Sequence, residues 1–168
     1  MPLHYVDPHA VRSPLYRAIV RFGRSRYGQW YAHTVARRID PWMYRATRGW
    51  LMSRPWTVAT APLTTTGARS GRAHEVQLTY FHDGDSPILI ASNYGGSRHP
   101  HWYHNLIAHP ECKFGDDAFV AREITDPTEY DRLYALAEHV YAGYGDYRTA
   151  TARFDRHIPV FRLEPSHE

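Results

Sequence analysis

From residue 57 onward, apolar and polar positions alternate in short runs broken by turn residues. Period-two alternation predicts strands over 57–65, 75–81 and 87–92. The last two are joined through HDGD, whose Asp-Gly pair favours a hairpin. Pro100 can stand at the first position of a short helix that runs to about Ala108 and is stopped by Pro110. Two further strands, 111–114 and 119–124, flank the turn GDDA. Asp126, Pro127 and Glu129 then supply an N-cap, a proline at the first helical position and an early acid for a helix to about Tyr141. A last strand, IPVFRLEP, follows. The first three strands are joined too tightly for helical crossovers. Six short strands with two inserted helices therefore predict an α+β chain built on a small, mainly antiparallel barrel.

Ahead of residue 57 the period changes. Leu15, Ala18, Ile19 and Phe22 recur at helical spacing while Arg17, Arg21 and Arg24 form another row, the pattern of a basic amphipathic helix. Trp30, Tyr31, Trp42 and Tyr44 add aromatics of the kind found in a headgroup layer. We therefore divide the chain into a helical leader, 1–56, packed on or near a barrel domain, 57–168.

Charge sharpens this division. The 168 residues carry a net charge of +3, but residues 1–56 hold ten arginines against Asp7 and Asp40, a balance of +8 that leaves −5 for the rest. Such a split suits either a cover over the barrel's own core or contact with an anionic membrane face; nucleic acid is not expected. No stretch approaches the roughly 20 apolar residues needed to span a bilayer, and the first residues lack the pattern of an export signal. A single cysteine, Cys112, fits a reducing compartment. A cytoplasmic protein is expected, with peripheral attachment to the inner face of the membrane as the variant the leader suggests.

Four histidines crowd into HPHWYHNLIAHP, residues 99–110. On a helix, His101, His104, Asn105 and Ala108 share one face, while Trp102 with Leu106 and Tyr103 with Ile107 form two apolar rows. A zinc site needs three or four converging ligands, and neither cysteine nor acid stands beside these histidines, so no metal is expected. In TTTGARSGR, residues 64–72, Gly67 and Gly71 bracket Ala68, Arg69 and Ser70 between two strands. Both glycines are expected at positive φ. Backbone N–H groups, the Ser70 hydroxyl and the guanidiniums of Arg69 and Arg72 can then converge as an anion cradle, although a plain arginine-bearing hairpin would read the same way. The spacing is not that of a P-loop, nor the context that of a Rossmann turn.

LTTTGARSGR, ILIASNYGG and HPHWYHNLIAHP, in this order with strand-length gaps, resemble the deazaflavin-dependent nitroreductase family of split-barrel flavin and deazaflavin oxidoreductases, found in actinobacteria. The likeness covers about residues 57–163, and the tyrosine-bearing segment YAGYGDYRTATARF with its closing strand shares it. The resemblance implies a split β-barrel that binds coenzyme F420, an 8-hydroxy-5-deazaflavin with a phosphate and an oligoglutamate tail, and passes hydride to a quinone, nitroaromatic or activated alkene. It implies phosphate contacts from Arg69, Ser70 and Gly71. It implies ring or tail contacts from the loop that runs from Ser92 and Asn93 to Gly96 and from the helix bearing Trp102 and Asn105. Where relatives carry an arginine and a proline on the second strand this chain has His74 and Gln77, and a lysine of some members is Asn93, so the anionic pocket is weaker here.

Tyr141, Tyr144 and Tyr147 recur every three residues and match tyrosines that line the family's acceptor site. A phenol there can stabilise the negative charge that hydride transfer builds on an acceptor, or deliver a proton. Packing at a barrel end is the alternative. Aromatic walls and a basic leader suggest a flat, lipophilic acceptor such as a quinone. Relatives often pair through the barrel, so the resemblance allows a homodimer, though no feature of the sequence demands one. The rival readings are a split barrel holding FMN or haem, a non-catalytic F420 carrier, and a histidine-ligated metal enzyme.

Overall fold

The computed structural model describes residues 3–10, 14, 16, 18, 21 and 59–166. Its elements are β1 (Thr60–Thr66), β2 (Ala73–Asp83), β3 (Ser86–Ile90), a 3₁₀ turn (Asn93–Gly95), α1 (His101–Ala108), β4 (Glu111–Phe114), β5 (Asp117–Glu123), α2 (Pro127–Val140), α3 (Gly143–Ala152) and β6 (Val160–Pro165). The six strands close into one barrel in the order β1-β2-β3-β6-β5-β4. Every neighbouring pair is antiparallel. The expected architecture, an α+β split barrel of six strands with inserted helices, is the one observed.

Alternation explains which residues fill it. In β1, Ala61, Leu63 and Thr65 point inward, and their partners on β2 are Leu78, Val76 and His74. Phe81, Ile88, Phe114, Phe161 and Leu163 complete the centre, each no more than 1% exposed. Burying a side chain of this size contributes roughly 1.5–3 kcal/mol. β3 departs from alternation, since Pro87 to Ile90 are all buried. Its outer face lies under α2, which packs on β2, β3 and β6. The two short hairpins turn on Gly84 (φ 60°) and Gly115 (φ 64°), conformations that other residues adopt only under strain.

α2 begins as expected. Pro127 occupies the first turn and Asp126 Oδ1 accepts the Glu129 N–H at 2.8 Å. An ion network fastens the helix to the barrel. Asp83, at the end of β2, receives Arg132 of α2 through both oxygens (2.7 and 2.8 Å) and Arg162 of β6 at 2.7 Å. Arg162 also reaches Glu129, at 2.7 Å.

α3 is a helix that hydropathy did not predict. GYGDYRTATA contains two glycines and two threonines, weak helix formers, yet Tyr144, Tyr147 and Thr151 bury one face of it at i, i+3, i+7 spacing. The helix ends in a Schellman turn: Arg156 N–H returns to Thr151 O (3.2 Å) and Asp155 N–H to Ala152 O (3.4 Å), with Asp155 left-handed at φ 49°.

The described part of the leader packs on the rest of the fold: His4 O accepts the Tyr80 hydroxyl at 2.9 Å and Tyr5 stacks on His82. Val6 exchanges backbone and side-chain hydrogen bonds with His82, and the Tyr16 hydroxyl donates to Val140 O at the end of α2. Pro14, Tyr16, Ala18 and Arg21 are helical. Leu15, Arg17, Ile19, Phe22, Arg24 and the aromatic group from Trp30 to Tyr44 lie outside the described residues, as does the predicted strand start at Thr57.

Candidate functional site

The β1–β2 turn is braced from within. Gly67 N–H bonds Arg72 O and Gly71 N–H bonds Gly67 O, both at 2.8 Å, while Ala68 N–H goes to Asn105 Oδ1 of α1 at 3.0 Å. Asn105 Nδ2 donates to Thr65 Oγ1 at 3.0 Å, so this buried amide is fully engaged inside the protein. These bonds correct the expected cradle in two respects. Two of the turn's N–H groups close the turn itself and a third, that of Ala68, ties it to α1, so none of the three faces a ligand. Gly71 has the expected positive φ (64°) but Gly67 does not; Gly67 is small because a Cβ there would stand 2.5 Å from Ser70 Oγ and 2.8 Å from His74 Nε2.

What the turn presents outward is side chains. Arg69, Ser70, Arg72 and His74 are exposed, and among the described residues neither arginine makes an ion pair. Ser70 Oγ lies 3.3 Å from His74 Nε2 and accepts the Arg72 N–H at 3.3 Å. Two unmatched guanidiniums with a hydroxyl between them suit a phosphate. Gln77 does not join this group. Three residues from His74 on a strand, it faces the opposite side of β2, with Nε2 3.5 Å from Thr60 Oγ1.

The second part of the site is the loop after β3. Asn93 (φ 46°), Tyr94 (φ 53°) and Gly95 (φ 74°) are left-handed in succession. Such backbone costs about 1–3 kcal/mol per strained residue and persists only where surroundings enforce it. Here Gly95 N–H returns to Ser92 O (3.0 Å), Gly96 N–H to Asn93 O (2.9 Å), and Asn93 Nδ2 to Arg98 O (2.9 Å). Below the loop, Arg156 donates to Ser92 O and, at 3.4 Å, to Ala91 O. It also lies 3.3 Å from His99 Nδ1. Burial, and next the Arg156 charge, hold His99 below the ordinary histidine value.

α3 packs on this loop, with Gly95 so close that a Cβ would meet Ala150 Cβ at 3.0 Å. Tyr94, half exposed, stands edge-on to Tyr147 with ring centres 6.1 Å apart. Tyr141, Tyr144 and Tyr147 are mutual neighbours, with centres 5.6–6.3 Å apart. Burial pushes the Tyr144 and Tyr147 phenols well above the ordinary tyrosine value. They remain protonated donors across the physiological range.

Trp102 packs inward, as its apolar row on α1 predicts. It is turned into the core, 6% exposed and 5.9 Å from Phe161, so it forms wall rather than an exposed stacking surface. Burial raises the Cys112 thiol to about 12, which removes it as a nucleophile. Among the described residues no three histidine, cysteine or acidic side chains are placed to share a metal ion. Sequence reasoning included Tyr94 in the Ser92–Gly96 loop without giving it a role of its own, and it missed Arg156. The ILIASNYGG motif contained the first; nothing local marked the second.

The profile of the F420H(2)-dependent quinone reductase family matches residues 36–165. The chain belongs to that family. It is 36% identical over 134 residues to an F420H(2)-dependent quinone reductase of Mycobacterium tuberculosis, covering 75% of this chain and 87% of the relative. A solved F420-H2 dependent reductase superposes with a TM-score of 0.53 at 35% identity, over 62% of this chain and 93% of that one. A second solved structure, described as a domain-swapped dimer, gives a TM-score of 0.55 at 31% identity, over 74% and 98%. Membership makes this chain an oxidoreductase that uses F420, and the expected split-barrel deazaflavin reductase is what the family and fold support. The donor set fits such a cofactor, since the unpaired Arg69 and Arg72 match its phosphate and the 92–96 loop offers a rigid, preformed ledge beside the tyrosines.

Proposed function

We propose that the chain reduces a quinone at the junction between the 92–96 loop and α3. The single observation that carries this reading is the contact of Tyr94 with Tyr147, which joins the loop expected to hold the ring to the helix expected to line the acceptor site. Arg69, Ser70 and Gly71 hold the phosphate, with His74 behind Ser70. Ser92 and Asn93 form the ledge for the ring. Asn105 acts by holding the phosphate turn, Trp102 by shaping the wall, and Gln77 by bracing β2 against β1. When bound, the reduced deazaflavin supplies a hydride. Tyr144 or Tyr147 then donates a hydrogen bond to the oxygen that gains charge, and Tyr141 backs both rings. Burial keeps both phenols protonated, as a hydrogen-bond donor requires. Nitroaromatics and activated alkenes, which develop the same kind of charge, are secondary acceptors.

Titration with F420, followed by its fluorescence, tests the cofactor site. The wild type should bind, Arg69→Ala should weaken binding about tenfold or more by losing a charge-assisted contact, and FMN should not compete. Reduction of menadione by the loaded wild type should follow. Wild type that ignores F420 would end the proposal; unchanged binding by Arg69→Ala would remove only the phosphate assignment. We place the protein in the cytoplasm as a homodimer, following the domain-swapped neighbour, and the solution mass of the same sample should be twice that of one chain.

A further inference from the structure

We infer that Arg156 is a positioning residue whose buried positive charge, set directly behind the 92–96 bend, favours the anionic form of the deazaflavin ring. The inference rests on the reading above, in which Ser92 and Asn93 hold that ring.

Arg156 is 9% exposed, and among the described residues it makes no ion pair. Its partners are two main-chain carbonyls, Ala91 O and Ser92 O, and the His99 ring. Nε is buried with no hydrogen-bond partner among the described residues. A guanidinium removed from water is ordinarily matched by a carboxylate, because a cation left uncompensated in the interior is strongly destabilising. Two carbonyls and a neutral imidazole satisfy hydrogen bonds without cancelling the charge. An aliphatic side chain of the same length would fill the space at lower cost. The chain instead goes to some trouble to deliver a cation here: Asp155 adopts a left-handed conformation to end α3, and the reversal it makes carries Arg156 under the loop.

The position is specific. Arg156 grips the carbonyl of Ser92, the residue that immediately precedes three successive left-handed residues. It therefore secures the start of the bend, while α3, from whose end it comes, packs on the bend's other side. His99 faces it from the segment before α1, and Tyr134 faces it from α2. Burial keeps Tyr134 protonated and His99 neutral near pH 7, so neither offsets the charge. The described residues therefore leave a net positive charge behind the loop, which an anionic ligand would offset. The 8-hydroxyl of F420 ionises to an anion delocalised over the ring, and a ring held by Ser92 and Asn93 would rest on the loop whose first carbonyl Arg156 binds.

Two ligands separate the ring from the phosphate as the source of that anion: F420, and the phosphate-free 8-hydroxy-5-deazariboflavin. For each, the visible band that reports ionisation of the 8-hydroxyl is titrated with pH, free and bound to wild type, Arg156→Lys and Arg156→Gln. On wild type the ring should ionise at lower pH than in solution. Arg156→Lys, which keeps the charge, should retain most of that shift, and Arg156→Gln should raise the ionisation by about one pH unit or more and weaken both ligands. A purely structural arginine would affect binding without moving the band. Ionisation on wild type no easier than in free solution overturns the inference with no variant required, as does an Arg156→Gln ring that titrates like wild type. Weakening of F420 alone, with the phosphate-free ligand unaffected, assigns the charge to the phosphate and also overturns it. Failure of F420 to bind wild type is the separate result that removes the underlying cofactor site.

Discussion

Asn93, Tyr94 and Asp155 are the described non-glycine residues with positive φ, and they are strained for different ends. Asp155 only turns the chain out of α3, so its strain is not part of the ledge. Glycine adopts that conformation without a Cβ penalty. Asp155→Gly should therefore stabilise the protein by about 0.5–1 kcal/mol net of the added unfolded-state freedom, seen as a rise in Tm of roughly 1–4 °C, with F420 affinity unchanged. A fall in Tm would show that the aspartate makes a compensating contact. Tyr94 differs, because its ring meets Tyr147 and relief of strain there would remove the aromatic contact. Residue types forecast some of this. Asn and Gly in SNYGG permit a left-handed bend. Nothing in FDRH foretells that Arg156 turns inward, because its burial follows from the chain reversal one residue earlier.

At the level of elements, α2 was legible because its signals are local: a cap, a proline and an acid in four residues. α3 was not, because poor helix formers are held helical only by the tyrosines they bury. The attachment of α2 to the barrel is tertiary and equally hidden, since Asp83, Glu129, Arg132 and Arg162 are scattered in sequence. It makes a pH prediction. The Arg132 guanidinium, and behind it Arg162, hold the Asp83 carboxyl below the usual carboxylate range against the opposing effect of burial. A depressed folded value gives stability that is present above the unfolded value of about 4 and lost as pH falls toward the folded one. The urea midpoint of the wild type should thus drop between about pH 4 and pH 2. Asp83→Asn should start lower at pH 7 and fall less steeply across that interval. Parallel curves would assign acid sensitivity to other groups.

For the whole molecule, the barrel was predictable from strand count and tight connections, while the closing order, with β6 between β3 and β5, was not, because pairing partners far apart in sequence leave no local trace. The leader's role depends on the same scale. Its basic excess, ten arginines against two aspartates over the first 56 residues, is a property of that segment taken together. We propose that those arginines face anionic lipid. Flotation with vesicles rich in anionic phospholipid should carry the protein upward at low salt and release it as salt screens the charge. Protein that stays at the bottom of the gradient at every salt concentration would confine the leader to covering the barrel.

The seat of β6 governs how the molecule can be made. Ile88–Ile90 waits for partners some seventy positions later, Val160 to Arg162, and β5 waits for the same strand. Until it arrives, the sheet has two open rims, each able to recruit a stray strand from a neighbouring molecule. Synthesis interrupted before residue 160, or proteolysis that clips that final segment, would convert a self-contained ring into an aggregation-prone sheet. The ledge would suffer with it, since β3, stripped of its partner, leads directly into residues 92–96, and Arg156 stands only four residues ahead of β6.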